Sequence, residues 1–167
     1  MNYLDFEQNE FPLAYLIPFR CYGTWLHGDV RGSVYRRQHN RFGTPFVTPS
    51  QSLEQSDAAQ MRQPPFRLKV AERVIVEQAI REVCGHRGYQ LLALNARTNH
   101  VHTVVSATVP PEPILNAFKA YATPRLREAG TLMPGVTPWS RHGSTRYLWK
   151  PQHVEAAIDY VLNRQDD

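Results

Sequence analysis

Two histidines separated by one residue, His100 and His102, sit in the apolar run Asn99-His100-Val101-His102-Thr103-Val104-Val105. In an extended strand alternate side chains share a face, so the two imidazoles project side by side while Val101, Thr103 and Val105 turn the other way. Neighbouring imidazoles are half of a divalent-metal site. Late in the chain Tyr160 lies on an amphipathic segment that ends in the amide side chains Asn163 and Gln165. A phenol, with a pKa of about 10, is a poor nucleophile at neutral pH and needs a Lewis acid on its target or a base for its proton. Metal and phenol together are equipped to cut a phosphodiester. The plainer alternatives are half-exposed strand histidines with no ligand, and a tyrosine at the core boundary with its hydroxyl in water. Tyr121, in the segment FKAYATPRLRE beside Lys119 and Arg125, is a rival nucleophile.

These side chains need elements to hold them. Leu13 to Leu26 is rich in aromatic and aliphatic residues and reads as a long first strand, with Pro18 marking a bulge or an edge. Residues 28 to 65 are rich in Gly, Pro, Ser, Gln and Arg without sustained periodicity, and read as a long basic loop. From Val70 to Cys84 the apolar positions 76, 79, 80 and 83 have the one-sided spacing of a helix on a sheet, with Gly85 and Gly88 as stop signals. Tyr89 to Ala96 and His100 to Ala107 read as a hairpin joined by Arg97-Thr98-Asn99. A second helix runs from Pro111 to Glu128, with a kink expected at Pro124 because proline lacks the amide hydrogen. A short strand at Thr145 to Trp149 follows. Pro151 then opens a last helix with Val154, Ala157, Ile158, Val161 and Leu162 on one stripe.

Strand, helix, strand, strand, helix, strand and an extra helix is the split βαβ order of an α+β ferredoxin-like domain, an antiparallel sheet with its two main helices on one face. In that arrangement Val101, Thr103, Val105 and Ala107 face the helices. His100 and His102 open onto the uncovered face, and Tyr121 lies on the side away from them.

The 167 residues suit a single domain, 1–167. Nineteen Lys and Arg against fifteen Asp and Glu leave a net charge of +4, a mild basic excess compatible with a phosphate-bearing partner. The excess is local: Arg36, Arg37 and Arg41 fall in an acid-free stretch, and Lys119, Arg125, Arg141 and Arg146 in another that holds Glu128 alone. Arg141, His142, Ser144 and Arg146 form a polar loop beside Trp139, a place to hold phosphates and stack an unpaired base. Solvated basic loops are the plainer reading of both stretches. Cys21 and Cys84 make no CxxC pair and are expected to be reduced, as in a cytoplasmic protein. The first ten residues carry acids and no Lys or Arg, unlike a secretory signal, and no apolar run is long enough to cross a membrane.

The NHVH strand, the segment WSRHGSTRYLW and the helix ending DYVLNRQ resemble the single-tyrosine HUH transposases of the insertion-sequence type, including their REP-associated relatives. The resemblance runs from the first strand through Gln165. It implies a DNA strand transferase acting on single strands, usually hairpin-bearing, with Tyr160 as the nucleophile and a 5′-phosphotyrosine intermediate. It also implies Mg²⁺ or Mn²⁺ held by His100, His102 and a polar residue of the tyrosine helix, and a homodimer whose tyrosine helix can reach the partner's histidines, so that a composite site made in trans is what the resemblance implies. The chain departs from the pattern at the third ligand. Members commonly place Gln four residues after the tyrosine; here Arg164 stands there, Gln165 comes fifth and Asn163 third. On an ideal helix Gln165 is rotated about 140° from Tyr160 and Asn163 about 60° the other way, so both remain candidates and Gln165 needs a frayed last turn. Two other functions compete: a non-catalytic nucleic-acid-binding module of the same fold, and an RNA-binding domain with an aromatic platform. The histidine face, with His100, His102, Val104 and Ser106, lacks the aromatics that the platform requires.

Overall fold

The computed structural model describes residues 10–23, 63–141 and 143–164. Most of the basic loop expected at 28–65, including Arg36, Arg37 and Arg41, lies outside them, as do His142 and Gln165. The elements are β1 (Ala14–Arg20), α1 (Val70–Arg87), β2 (Gln90–Ala96), β3 (His100–Ser106), α2 (Pro111–Glu128), β4 (Arg146–Leu148) and α3 (Pro151–Asn163). The strands form one antiparallel sheet in the order β2-β3-β1-β4, the ferredoxin-like arrangement.

Local chemistry sets the boundaries. The Glu72 side chain accepts the Lys69 amide hydrogen at 3.1 Å, which satisfies a donor at the start of α1. The helix does not stop at Gly85. It runs to Arg87 and ends at Gly88, whose φ of 72° is left-handed and whose N–H donates to the Cys84 carbonyl. α2 continues past Pro124 to Glu128. Both α2 and α3 open on a proline, whose missing amide costs nothing in a first turn. In β1, Pro18 lies beyond the end of β4, which pairs only with Ala14 to Leu16, so the absent amide falls where that neighbour has already ended.

Alternation along β1 and β3 divides the protein into two cores. Tyr15, Ile17, Phe19, Val101 and Val105 point to one face and pack with Val76, Ile80, Val83, Ile114 and Phe118 of α1 and α2. Thr103, on this face, is fully buried and donates its hydroxyl to the Ile17 carbonyl at 3.1 Å. Ala14, Leu16, Ala93, Val104 and Leu148 point to the other face and pack with Ala157 and Val161 of α3. The histidine face is therefore not open, as the element order suggested; the amphipathic last helix buries its stripe there because the opposite face is already filled. Leu162 is outside that stripe and 52% exposed, one residue past Val161 and so about 100° round the helix.

Candidate active site

The register of the sheet composes the site. His100 lies opposite Arg20, and His102 lies between Pro18 on β1 and Asn95 on β2. Paired residues of an antiparallel ladder share a face, so Arg20, Asn95 and both imidazoles lie on the α3 side. The His100 and His102 rings are edge to face, with centroids 4.8 Å apart. α3 crosses this face, and its Tyr160 ring meets His102 at 86° with centroids 5.5 Å apart. The Asn95 side-chain amide donates to the Val161 carbonyl at 2.9 Å and ties the tyrosine's helix to the strand beside the histidines. Tyr160 keeps 39% of its surface exposed, so the phenol borders solvent while its ring leans on His102.

The two imidazoles differ in setting. His100 is 4% exposed, and its Nδ1 lies 2.6 Å from the Asn99 Oδ1. His102 has a buried Nδ1 with no hydrogen-bond partner. Burial, then the neighbouring His100, then the Arg20 guanidinium push its pKa down to about 3, so the ring is neutral at neutral pH. A neutral imidazole with an unpartnered buried nitrogen is the form that accepts a metal ion. The pair therefore fits a divalent cation. Among the described residues no third His, Cys, Asp or Glu joins them in a metal-binding group. Asn163 donates from Nδ2 to Asp159 at 2.9 Å, and Arg164 bonds the same carboxylate at 2.8 Å. Together they hold Asp159 below the usual carboxylate range.

The basic residues divide between the two faces. Arg146 pairs with Leu16 on the α3 face, is 8% exposed, and has an Nη1 with neither solvent contact nor a hydrogen-bond partner. Burial lowers its pKa. Arg125, on the opposite side of the sheet, bonds Glu82 of α1, with its guanidinium 6.0 Å from the Tyr121 ring centre. Tyr121 packs against the α1 and α2 core and is remote from Tyr160. Lys119 donates to the Ser140 carbonyl at 3.1 Å, and burial brings its pKa down to about 8. It lines an open groove with Tyr22, Asn116, Thr123 and Arg141. Ser144 is half-buried just before β4. Trp139 is not the exposed stacking platform that its polar neighbours suggested. It bridges to Cys21, meets Phe19 edge to face at 5.1 Å and is 5% exposed.

Two residues near the site escaped the sequence reading. Arg20 is brought there by register, which could have been counted back from the histidine strand once β1 was paired with it. Asn99 read as a turn residue, and only its burial, with 7% of its surface exposed, marks it as more.

A family model described as "Transposase IS200 like" matches residues 58–153, more than half of the chain; the match includes the histidine strand and ends before Tyr160. No curated protein matches. Among solved structures, the chain is similar to a Deinococcus radiodurans R1 protein assigned as a transposase, at 14% identity and a TM-score of 0.47, covering 94% of this chain and 93% of that one.

Proposed function

Because this chain belongs to the IS200-like transposase family, we propose that it breaks and rejoins single-stranded, hairpin-bearing DNA through Tyr160. The observation that carries this reading is the contact of the Tyr160 ring with His102, 5.5 Å between centroids, beside the second imidazole of His100. The Tyr160 oxygen attacks the scissile phosphorus and gives up its proton, the bond from phosphorus to the 3′ oxygen breaks, and that oxygen is protonated as it leaves. The products are a 5′-phosphotyrosine and a free 3′-OH. Attack of a 3′-OH on the phosphotyrosine reverses the bonds, joins the strand and returns the proton to the phenol, so no nucleotide cofactor is consumed.

His100 and His102 would hold a divalent ion, Mn²⁺ or Mg²⁺, which when bound supplies Lewis-acid polarisation of the phosphate. Of the two, Mn²⁺ accepts nitrogen donors more readily. Asn163 or Gln165 would complete the protein ligands. Arg20 and Arg146 place positive charge on the sheet face where the phosphates lie, and Asn95 holds α3 at the imidazoles. Arg36, Arg37, Arg41, Lys119, Arg125, Arg141, His142 and Ser144 extend the DNA contacts, and the working unit is a homodimer.

End-labelled hairpin DNA with a single-stranded flank, incubated with the protein and Mn²⁺, should yield a covalent adduct that survives denaturation. Tyr160→Phe and chelation should each abolish it, and Tyr121→Phe should not. Retention of the DNA with no adduct under any metal condition would leave a nucleic-acid-binding module of the same fold.

A further inference from the structure

The turn that delivers the histidine strand is held more firmly than a three-residue link requires. The Ala96 N–H donates to the Glu77 carboxylate at 3.0 Å, the Leu68 N–H to the Thr98 carbonyl at 2.6 Å, and the Cys21 N–H to the Asn99 carbonyl at 2.8 Å. Arg97 N–H closes the link on the His100 carbonyl at 2.8 Å. Residues from α1, its leading segment and the end of β1 thus anchor the backbone around Asn99. Its side chain is buried, and its Oδ1 lies 2.6 Å from the His100 Nδ1. An amide oxygen can only accept, so Nδ1 must be the nitrogen that carries the proton. In a neutral imidazole the lone pair is then on Nε2.

We infer that Asn99 is a positioning residue that locks His100 in its Nδ1–H tautomer, so that Nε2 is the nitrogen through which His100 would hold a metal ion. The consequence for metal binding rests on the reading of the site given above; the tautomer itself does not. The backbone around Asn99 is held by the Glu77 carboxylate and by main-chain bonds to Leu68 and Cys21, which fixes where Asn99 stands before any ligand arrives. Partners of this kind orient a ligating imidazole and raise its basicity, and their loss costs about ten- to hundredfold in metal affinity.

The test uses the whole chain without metal, ¹⁵N-labelled at histidine, above the imidazole titration range. Two-bond ¹H–¹⁵N correlations report which ring nitrogen of His100 is protonated, and Mn²⁺ affinity is measured by calorimetry on the same samples. The wild type should show Nδ1–H. Asn99→Ala should move His100 toward Nε2–H and weaken Mn²⁺ binding about ten- to hundredfold. Asn99→Asp, which keeps an acceptor oxygen, should restore both Nδ1–H and affinity. An Nε2–H ring in the wild type, or an Nδ1–H population undiminished by Asn99→Ala, overturns the assignment, and the wild-type measurement decides even if the alanine variant fails to fold. If the tautomer follows Asn99 but Mn²⁺ binds no form of the protein, the metal reading falls and the orienting hydrogen bond stands.

Discussion

The Asn95 amide and the Val161 carbonyl meet at 2.9 Å, one residue along from Tyr160, so a β2 side chain satisfies a carbonyl near the end of the helix that carries the phenol. The bond sets how α3 lies over His102. Asn95→Ala should lower stability by about 1 kcal/mol. Adduct formation should fall further, by tenfold to about a hundredfold, because small displacements of a nucleophile are costly. Urea unfolding and adduct rates on one preparation separate the two effects. A rate loss no larger than the loss of folded protein would show that the tie has no positioning role.

Gly143 is seated where a side chain cannot go. A Cβ there would lie 2.7 Å from the Pro18 carbonyl oxygen and 2.9 Å from Leu115 Cδ2. Gly143→Ala should therefore destabilise the protein by about 1–3 kcal/mol through overpacking, read as a lower urea midpoint at unchanged m value. An unchanged midpoint would mean that the loop before β4 yields freely.

Lys119 makes stability depend on alkaline pH. Burial holds its folded pKa at about 8, below the 10.5 of the unconstrained group. Between those values Lys119 binds more protons in the unfolded chain, so its own contribution to stability rises with pH across that window and its penalty is complete below it, while the raised thiols of Cys21 and Cys84 contribute with the opposite sign whether or not Lys119 is present. Lys119→Met should flatten this slope and raise stability at neutral pH by about 1–3 kcal/mol. Unfolding curves across the window check both effects, and a parallel slope in the variant would remove Lys119 as the cause.

One chain brings its own Tyr160 to its own His102. Mixing Tyr160→Phe protein with His102→Ala protein should consequently leave adduct formation at background, even if the two exchange subunits. Recovery on mixing would show that the phenol works with the partner's imidazoles.

Much of the architecture was legible in spacing alone. The alternation at Val101, Thr103 and Val105 identified the face of β3 that meets α1 and α2, and the apolar positions of α1 identified its buried side. What escaped was the destination of α3. Its stripe at Val154, Ala157, Ile158 and Val161 says that it must be covered, and the element order leaves the histidine face vacant, but only the packing of Ala157 and Val161 against Leu16, Val104 and Leu148 joins the two. Trp139 was misjudged for a related reason: polar neighbours in sequence said nothing of its bridge to Cys21. Asn99 and Arg20 were invisible because their importance lies in burial and register. His100, His102 and Tyr160 stood out because their chemistry is rare in such surroundings, and their proximity came from the fold.

α3 has two duties, roofing the sheet with Ala157 and Val161 and presenting Tyr160 one residue away. A premature stop codon ahead of this helix would do more than silence the enzyme. It would strip the cover from Leu16, Val104 and Leu148 and leave an oily remnant prone to clumping and proteolysis. Inactivated copies that persist in a cell as folded protein should therefore bear point changes at the chemistry and retain the tail.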